Sequence, residues 1–223
     1  MNDDMDQTER FLTTDEARQL YGAGDAAHDF DHVLRVTTLA VKLARAEDAD
    51  VTVTRLAALL HDVPVDAAGG RKDHHLAAAA YAGDLLRQRG AGTETVANVV
   101  HCIEAHRFRD QSIRPATLEA KCLYDADKLD SMGAIGVARA FAFAGAHDNR
   151  LWTQSHTQAP PHPDRPRGAD YTPVHEYVYK LARLLDTLHT PSARAVGLAR
   201  HAFMLDFFTQ LDREMTGEMT GER

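Results

Sequence analysis

From Phe30 onward, apolar or small side chains fall at Val33, Leu34, Thr37, Val41 and Ala44, while Asp31, Arg35, Thr38, Lys42 and Arg45 form a polar stripe. Recurrence every three to four residues marks an amphipathic helix. Val36, Leu39, Ala40 and Leu43 widen the apolar face, so this helix is expected near the centre of the fold. Similar patterns predict helices over about 52–62, 73–89, 93–107, 115–130, 132–146, 174–189 and 192–214. Asp73 and Thr93 suit N-caps, Gly90 a helix stop, and Pro115 and Pro191 first-turn positions. No segment alternates as a strand would, and no internal repeat stands out. The expected class is all-α. Five of the eight prolines (Pro160, Pro161, Pro163, Pro166 and Pro173) lie between Gly145 and Val174. Proline removes a backbone donor and fixes φ, so this stretch is expected to be a long loop: a functional lid, a mobile segment or a plain surface excursion. The tail after Glu214, with its doubled Met-Thr-Gly-Glu, is expected to fray.

Composition narrows the function. The chain has 223 residues, enough for one domain or two small ones with a sizeable core. Its net charge of −8 argues against non-specific binding to nucleic acid or an anionic membrane, although a local basic pocket remains compatible. The acidic start, Met1-Asn2-Asp3-Asp4-Met5-Asp6, does not read as a signal peptide, and no apolar run is long enough for a membrane span. A cytoplasmic location is expected. Cys102 and Cys122 suit neither a disulfide framework nor a thiolate zinc site and read as inert buried thiols. Any metal is therefore expected to be held by the thirteen histidines and by carboxylates.

The dipeptide His-Asp occurs three times, at His28-Asp29, His61-Asp62 and His147-Asp148. Context separates them. His61-Asp62 follows the apolar run Leu56-Ala57-Ala58-Leu59-Leu60 and precedes Val63-Pro64, which places it in the last turn of a buried helix. Carbonyls at a helix C-terminus favour a cation there, and a buried Asp needs a partner or a metal. The plainer alternative is a capping Asp62 with a His61 satisfied by backbone. His28 and His32 stand four apart on one helix face. Asp125-Ala126-Asp127-Lys128-Leu129-Asp130 ends another apolar helix, whose inward side includes Asp125 or Asp127. Two imidazoles and two carboxylates from three helices would make one divalent site.

The order His32…His61-Asp62…Asp127 resembles the signature of the HD superfamily of metal-dependent phosphohydrolases. The segments His28–Val36, Leu56–Pro64 and Ile103–His106 are similar to successive motifs of its bacterial stand-alone members. So is Asp125–Asp130 with Gly133–Arg139. His175-Glu176, Lys180-Leu181, Ala199-Arg200 and Phe203-Met204 resemble the C-terminal helical extension of that branch. The resemblance covers roughly 25–145 and 172–214. It implies an HD-domain helical bundle with a C-terminal helical extension. The matching partition is an N-terminal helical segment (1–24), an HD core (25–146), the Pro-rich loop (147–173), helices packed on the core (174–214) and a tail (215–223). The loop is longer than the family pattern and the N-terminus more acidic, which bears on substrate access and specificity.

Carried over by position, the resemblance implies His32, His61, Asp62 and Asp127 as metal ligands, Asp127 taking the Ala-Asp-Lys-Leu slot rather than Asp125. A nitrogen and oxygen set suits Mn, Mg, Co, Ni or Fe as a divalent ion. Candidates for proton transfer beside Asp62 are His106, His28 and Asp66, with His75 and His101 behind them. His106 matches the family motif and is also a candidate ligand for a second ion. Lys128, Arg35 and His75 are expected to contact an anionic substrate. Arg71, Lys72, Arg107 and Arg109 are weaker candidates, and His74 is expected to be exposed. Gly133 and Gly136 read as close-packing positions, not a phosphate-cradling loop. The implied activity is hydrolysis of a phosphate ester or anhydride in a small molecule, of nucleotide type, by monoester cleavage or release of pyrophosphate from a triphosphate. The alternatives are an inactive metal- or nucleotide-binding regulatory module and an HD-type di-iron oxygenase.

Overall fold

The computed structural model describes residues 9–21, 30–65, 73–107 and 112–218. Among them are nine α-helices and no strand: α1 (Thr14–Tyr21), α2 (Phe30–Ala46), α3 (Val51–Leu60), α4 (His74–Gln88), α5 (Thr93–Ala105), α6 (Leu118–Asp130), α7 (Gly133–Ala146), α8 (Pro173–Tyr179) and α9 (Pro191–Met215). The all-α expectation holds. The chain forms two compact units. One comprises residues 1–128 with 189–193, the other 129–188 with 194–223.

In the first unit α3 is the hub. It packs against α2, α5, α4 and α1. Every residue from Val53 to Leu60 is buried, which is why its sequence shows little amphipathic periodicity. Asp50 caps it by accepting the Val53 N–H at 3.0 Å. Arg55, buried on α3, donates to the Leu12 carbonyl at 2.9 Å and to Thr14 Oγ1 at 3.1 Å, fastening the N-terminal segment. α1 opens with a capping box: the Thr13 hydroxyl accepts from Glu16 N–H at 3.2 Å, and the Glu16 carboxylate accepts from Thr13 N–H at 2.8 Å. That backbone bond, with Arg89 beside it, holds Glu16 down at about 2.

Helix ends refine the sequence reading. Gly90 does stop α4, at φ +77°, with Ala91 N–H bonding Leu86 O and Gly90 N–H bonding Arg87 O in a Schellman closure. Asp73 stands at the N-cap of α4 without a side-chain bond, and Gly92, not Thr93, is the N-cap of α5. Pro115 lies ahead of α6 rather than in its first turn, because Thr117 takes the cap by accepting from Ala120 N–H at 3.2 Å. His147-Asp148 is the stop of α7. Asp148 takes φ +54°, and His147 Nδ1 lies 2.9 Å from the Phe143 carbonyl.

In the second unit α7 packs on α8, and α8 on the 3₁₀ segment Leu181–Thr187. The single helix expected over 174–189 is broken at Lys180, whose φ of −133° leaves the helical region. Beyond it the three-residue turn aligns the buried Leu181 and Leu184. Gly133 packs on the Arg200 stem, and Gly136 lies against the Ser131 carbonyl, so the latter approach is local and not between helices. The Pro-rich stretch has no α-helix but carries 3₁₀ turns at His156–Gln158, His162–Asp164 and Gly168–Asp170. Asp212 on α9 pins it. Its carboxylate accepts from Trp152 Nε1 at 2.7 Å, Ser155 Oγ at 2.7 Å and the His156 N–H at 2.9 Å, with His156 Nδ1 at 2.6 Å.

Burial pulls the Asp212 carboxyl upward, but these donors outweigh it and leave it below the ordinary 3.8. The stabilisation is therefore complete above about pH 4 and is lost as pH falls through the lowered value. Trp152 is the sole tryptophan. Its fluorescence is expected to change on acidification below pH 4 in the wild type. In Asp212→Asn it is expected to be altered already at pH 7, with stability lower by roughly 1–3 kcal/mol. Equal emission and melting temperature in the two proteins would show that Asp212 does not hold the loop.

Candidate metal centre

His61 caps the C-terminus of α3 at φ −63°, and Pro64 follows three residues later. Its Nδ1 lies 2.7 Å from the Ala58 carbonyl, an acceptor only, so Nδ1 carries the proton and donates. That leaves the lone pair on Nε2. The ring is fully buried, and Nε2 has no hydrogen-bond partner among the described residues. A buried imidazole acceptor without a donor is costly unless a cation fills the space before it. The Tyr21 hydroxyl donates to the Leu59 carbonyl at 2.8 Å and steadies this same last turn.

The neighbours of Nε2 are suited to a cation. Asp62 Oδ2 is 3.6 Å from it. His32 Nε2, from α2, lies 3.9 Å from Asp62 Oδ2 and 3.5 Å from Asp127 Oδ1 of α6. Donor atoms of His32, His61 and Asp127 all fall within 4.8 Å of one another. Most of these spacings are too long for good hydrogen bonds. They suit ligands each about 2.0–2.2 Å from one shared ion.

A second group adjoins the first. His106 caps α5 as His61 caps α3, with Nδ1 2.6 Å from the Ile103 carbonyl. Its Nε2 lies 3.7 Å from Asp62 Oδ1, and His74 Nε2, from the first turn of α4, lies 3.3 Å from the same oxygen. Asp62, His74 and His106 thus form another set able to hold an ion, and Asp62 presents one oxygen to each set.

Electrostatics keeps the donors in ligand form. Burial raises the Asp62 carboxyl, but the imidazoles of His61, His106 and His74 outweigh it and hold it well below the usual carboxylate range. Burial likewise opposes ionisation of Asp127, and the Lys128 ammonium with His32 and His61 overcomes it. Burial pushes the His61 imidazole down, against the pull of Asp62. At neutral pH the centre therefore holds two carboxylates and a neutral His61.

Asp125 stands away from the centre: its carboxylate accepts from His189 N–H, Thr190 N–H and the Thr190 hydroxyl. Lys128 is buried and pairs with Asp127 Oδ2, with Nζ 4.9 Å above the Tyr124 ring. His101 accepts from Ala116 N–H at 3.0 Å, a bond that shapes the turn before α6. His75 is buried, its ring 6.3 Å from that of His106. Arg35 is half-buried on α2. Cys102 and Cys122 are free and buried, and burial pushes their thiols up, Cys122 to about 12. His28, Asp66, Arg71, Lys72 and Arg109 lie outside the described residues. His74 was expected at the surface. It is half-exposed but turned to Asp62, and the one available signal was its place in the first turn of a helix, next to His75. Tyr21 had no sequence signal at all.

The chain resembles known proteins in sequence and fold. The HD domain family model matches residues 29–132. The uncharacterized protein YpgQ of Bacillus subtilis is 34% identical over 195 residues, 86% of each chain. The crystal structure of YpgQ in complex with ADP superposes with a TM-score of 0.70 at 29% identity, covering 95% of this chain and 96% of that one. An HD-superfamily hydrolase of Bacillus thuringiensis superposes at 0.71 and 26% identity, covering 96% and 98%. The chain belongs to the HD superfamily, in the bacterial group that includes YpgQ.

Proposed function

We propose that this protein is a metal-dependent phosphohydrolase that cleaves a phosphate ester or anhydride of a nucleotide. The observation that carries the reading is the buried, unpartnered Nε2 of His61, set among His32, Asp62 and Asp127. In it, those four side chains hold a divalent ion such as manganese. The ADP complex of the YpgQ relative supports a nucleotide substrate. When bound, the ion would polarise a phosphoryl oxygen and lower the pKa of a water.

The chain's own groups supply the rest. Two carboxylates balance the charge of a divalent ion, and the buried Lys128 adds a cation for a substrate that the net charge of −8 would otherwise repel. Water attacks phosphorus as the bond to the leaving oxygen breaks. His106 Nε2, with its proton fixed on Nδ1 by Ile103 O, takes the proton from the water and returns it to the leaving group. The second donor group favours one further reading, in which Asp62, His74 and His106 hold a second ion.

Elemental analysis beside a nucleotide and phosphoester panel with Mn²⁺ tests this. Asp62→Ala is expected to lose both bound metal and activity, and a variant hydrolysing at the wild-type rate would overturn the site. His106→Gln separates the two readings. As the proton acceptor, its loss lowers kcat by about 10²–10⁴-fold at unchanged metal content. As a ligand, it takes one of two ions with it. Metal removal by a chelator is expected to lower the melting temperature, and saturating Mn²⁺ at about 100 times its Kd to restore about 2.7 kcal/mol. Nucleotide and metal binding without any product would favour a regulatory module. Two bound irons with oxygen consumption would favour an oxygenase.

A further inference from the structure

The five residues His189–Ala193 group with the first unit, although the chain on either side groups with the second. A set of bonds holds them there. Asp125 Oδ1 accepts the His189 N–H at 2.8 Å, and Oδ2 accepts the Thr190 N–H at 2.8 Å and the Thr190 hydroxyl at 2.7 Å. Thr190 Oγ1 in turn accepts from Ala193 N–H at 3.3 Å, so Thr190 is the N-cap of α9 with Pro191 at N1. Glu47 Oε1 accepts the Ser192 N–H at 2.8 Å. Asp125 is completely buried, and burying a carboxylate is costly even when it is bonded. A cap alone needs only the threonine hydroxyl. The extra bond fixes the backbone of His189.

What that backbone presents is an exposed imidazole in a defined place. The His189 ring stands edge-on to Tyr124, with centroids 4.8 Å apart and planes at 68°. Tyr124 is buried, and its ring also lies under the Lys128 ammonium at 4.9 Å. Lys128 pairs with Asp127 of the metal centre. A chain of contacts therefore runs from Asp127 of the centre through Lys128 and Tyr124 to His189. Its inner end is cationic and its outer end is a planar aromatic face, the two chemistries a nucleotide requires.

We propose that His189 is a specificity-determining residue that stacks on the base of a nucleotide whose phosphates lie toward Lys128 and the metal centre. This rests on the nucleotide phosphohydrolase reading. Tyr124 backs the imidazole, and the Asp125 carboxylate positions it.

The test is calorimetric binding of ADP and of inorganic pyrophosphate to the Mn²⁺-loaded protein, for wild type, His189→Ala and His189→Phe. Loss of one base-stacking contact is expected to weaken ADP about tenfold in His189→Ala, with pyrophosphate within about twofold. His189→Phe keeps a planar face and is expected to stay within about threefold of wild type for ADP. The proposal is overturned if His189→Ala binds ADP like wild type, if both ligands weaken equally, or if His189→Phe behaves like His189→Ala. In each of those cases the nucleotide reading stands. If wild type binds pyrophosphate but not ADP, the nucleotide reading itself falls and the proposal with it.

Discussion

The site depends on one hydrogen bond made twice. At the C-terminus of α3 and again at that of α5, an imidazole donates Nδ1–H to the carbonyl three residues back in its own helix. A helix end has carbonyls without intrahelical partners, so the acceptor is supplied by the helix itself. The bond fixes the tautomer, sets the ring plane and leaves Nε2 as a bare lone pair on the far side. No second element is needed to orient either histidine. The same geometry explains why both sit at helix ends and why Pro64 follows so soon after the first: the chain must leave α3 just past His61 for Asp62 to turn toward the same point.

Around that lone pair the fold assembles charges that would not sit together unaided. Asp62 and Asp127 are largely withdrawn from water yet held ionised, by imidazoles in one case and by the Lys128 ammonium with imidazoles in the other. A cation among these oxygens and nitrogens would relieve both the carboxylates and the unpartnered lone pair of His61. Asp125 shows how much depends on direction. Only two residues from Asp127, it faces the turn before α9 and is committed to three donors there, and burial pushes its carboxyl up rather than down. One acidic cluster on one helix thus supplies both a candidate metal ligand and a structural staple.

The Pro-rich stretch makes a related point about the second unit. Proline prevents helix and sheet bonding, so the segment's polar groups must find other partners. Tyr179 donates its hydroxyl to Pro160 O at 2.7 Å, Arg150 N–H bonds Ala169 O at 2.8 Å, and the Asp212 carboxylate gathers the Trp152, Ser155 and His156 donors. The result is a shaped excursion held by both side-chain and backbone bonds, not a slack one.

The hydrophobic period determined most of the helices from Phe30 onward, their approximate ends and the all-α class, because a buried stripe must recur with the turn of the helix that buries it. The run Leu56–Leu60 before His61-Asp62 likewise marked that dipeptide out from its two copies, one of which proves to be a helix stop at His147-Asp148. The resemblance to HD proteins supplied the order of the candidate ligands. What the chain could not announce was direction. Asp125 and Asp127, or His74 and His75, are near-equivalents in any pattern, and which one faces a given point depends on what packs against the helix. The break at Lys180, the loop fastened by Asp212 and the Tyr21 bond to Leu59 each join residues far apart in sequence or arise from packing that overrides helix propensity. Local periodicity carries no record of such contacts. They exist only once the helices have been brought together, so the tertiary structure decided them.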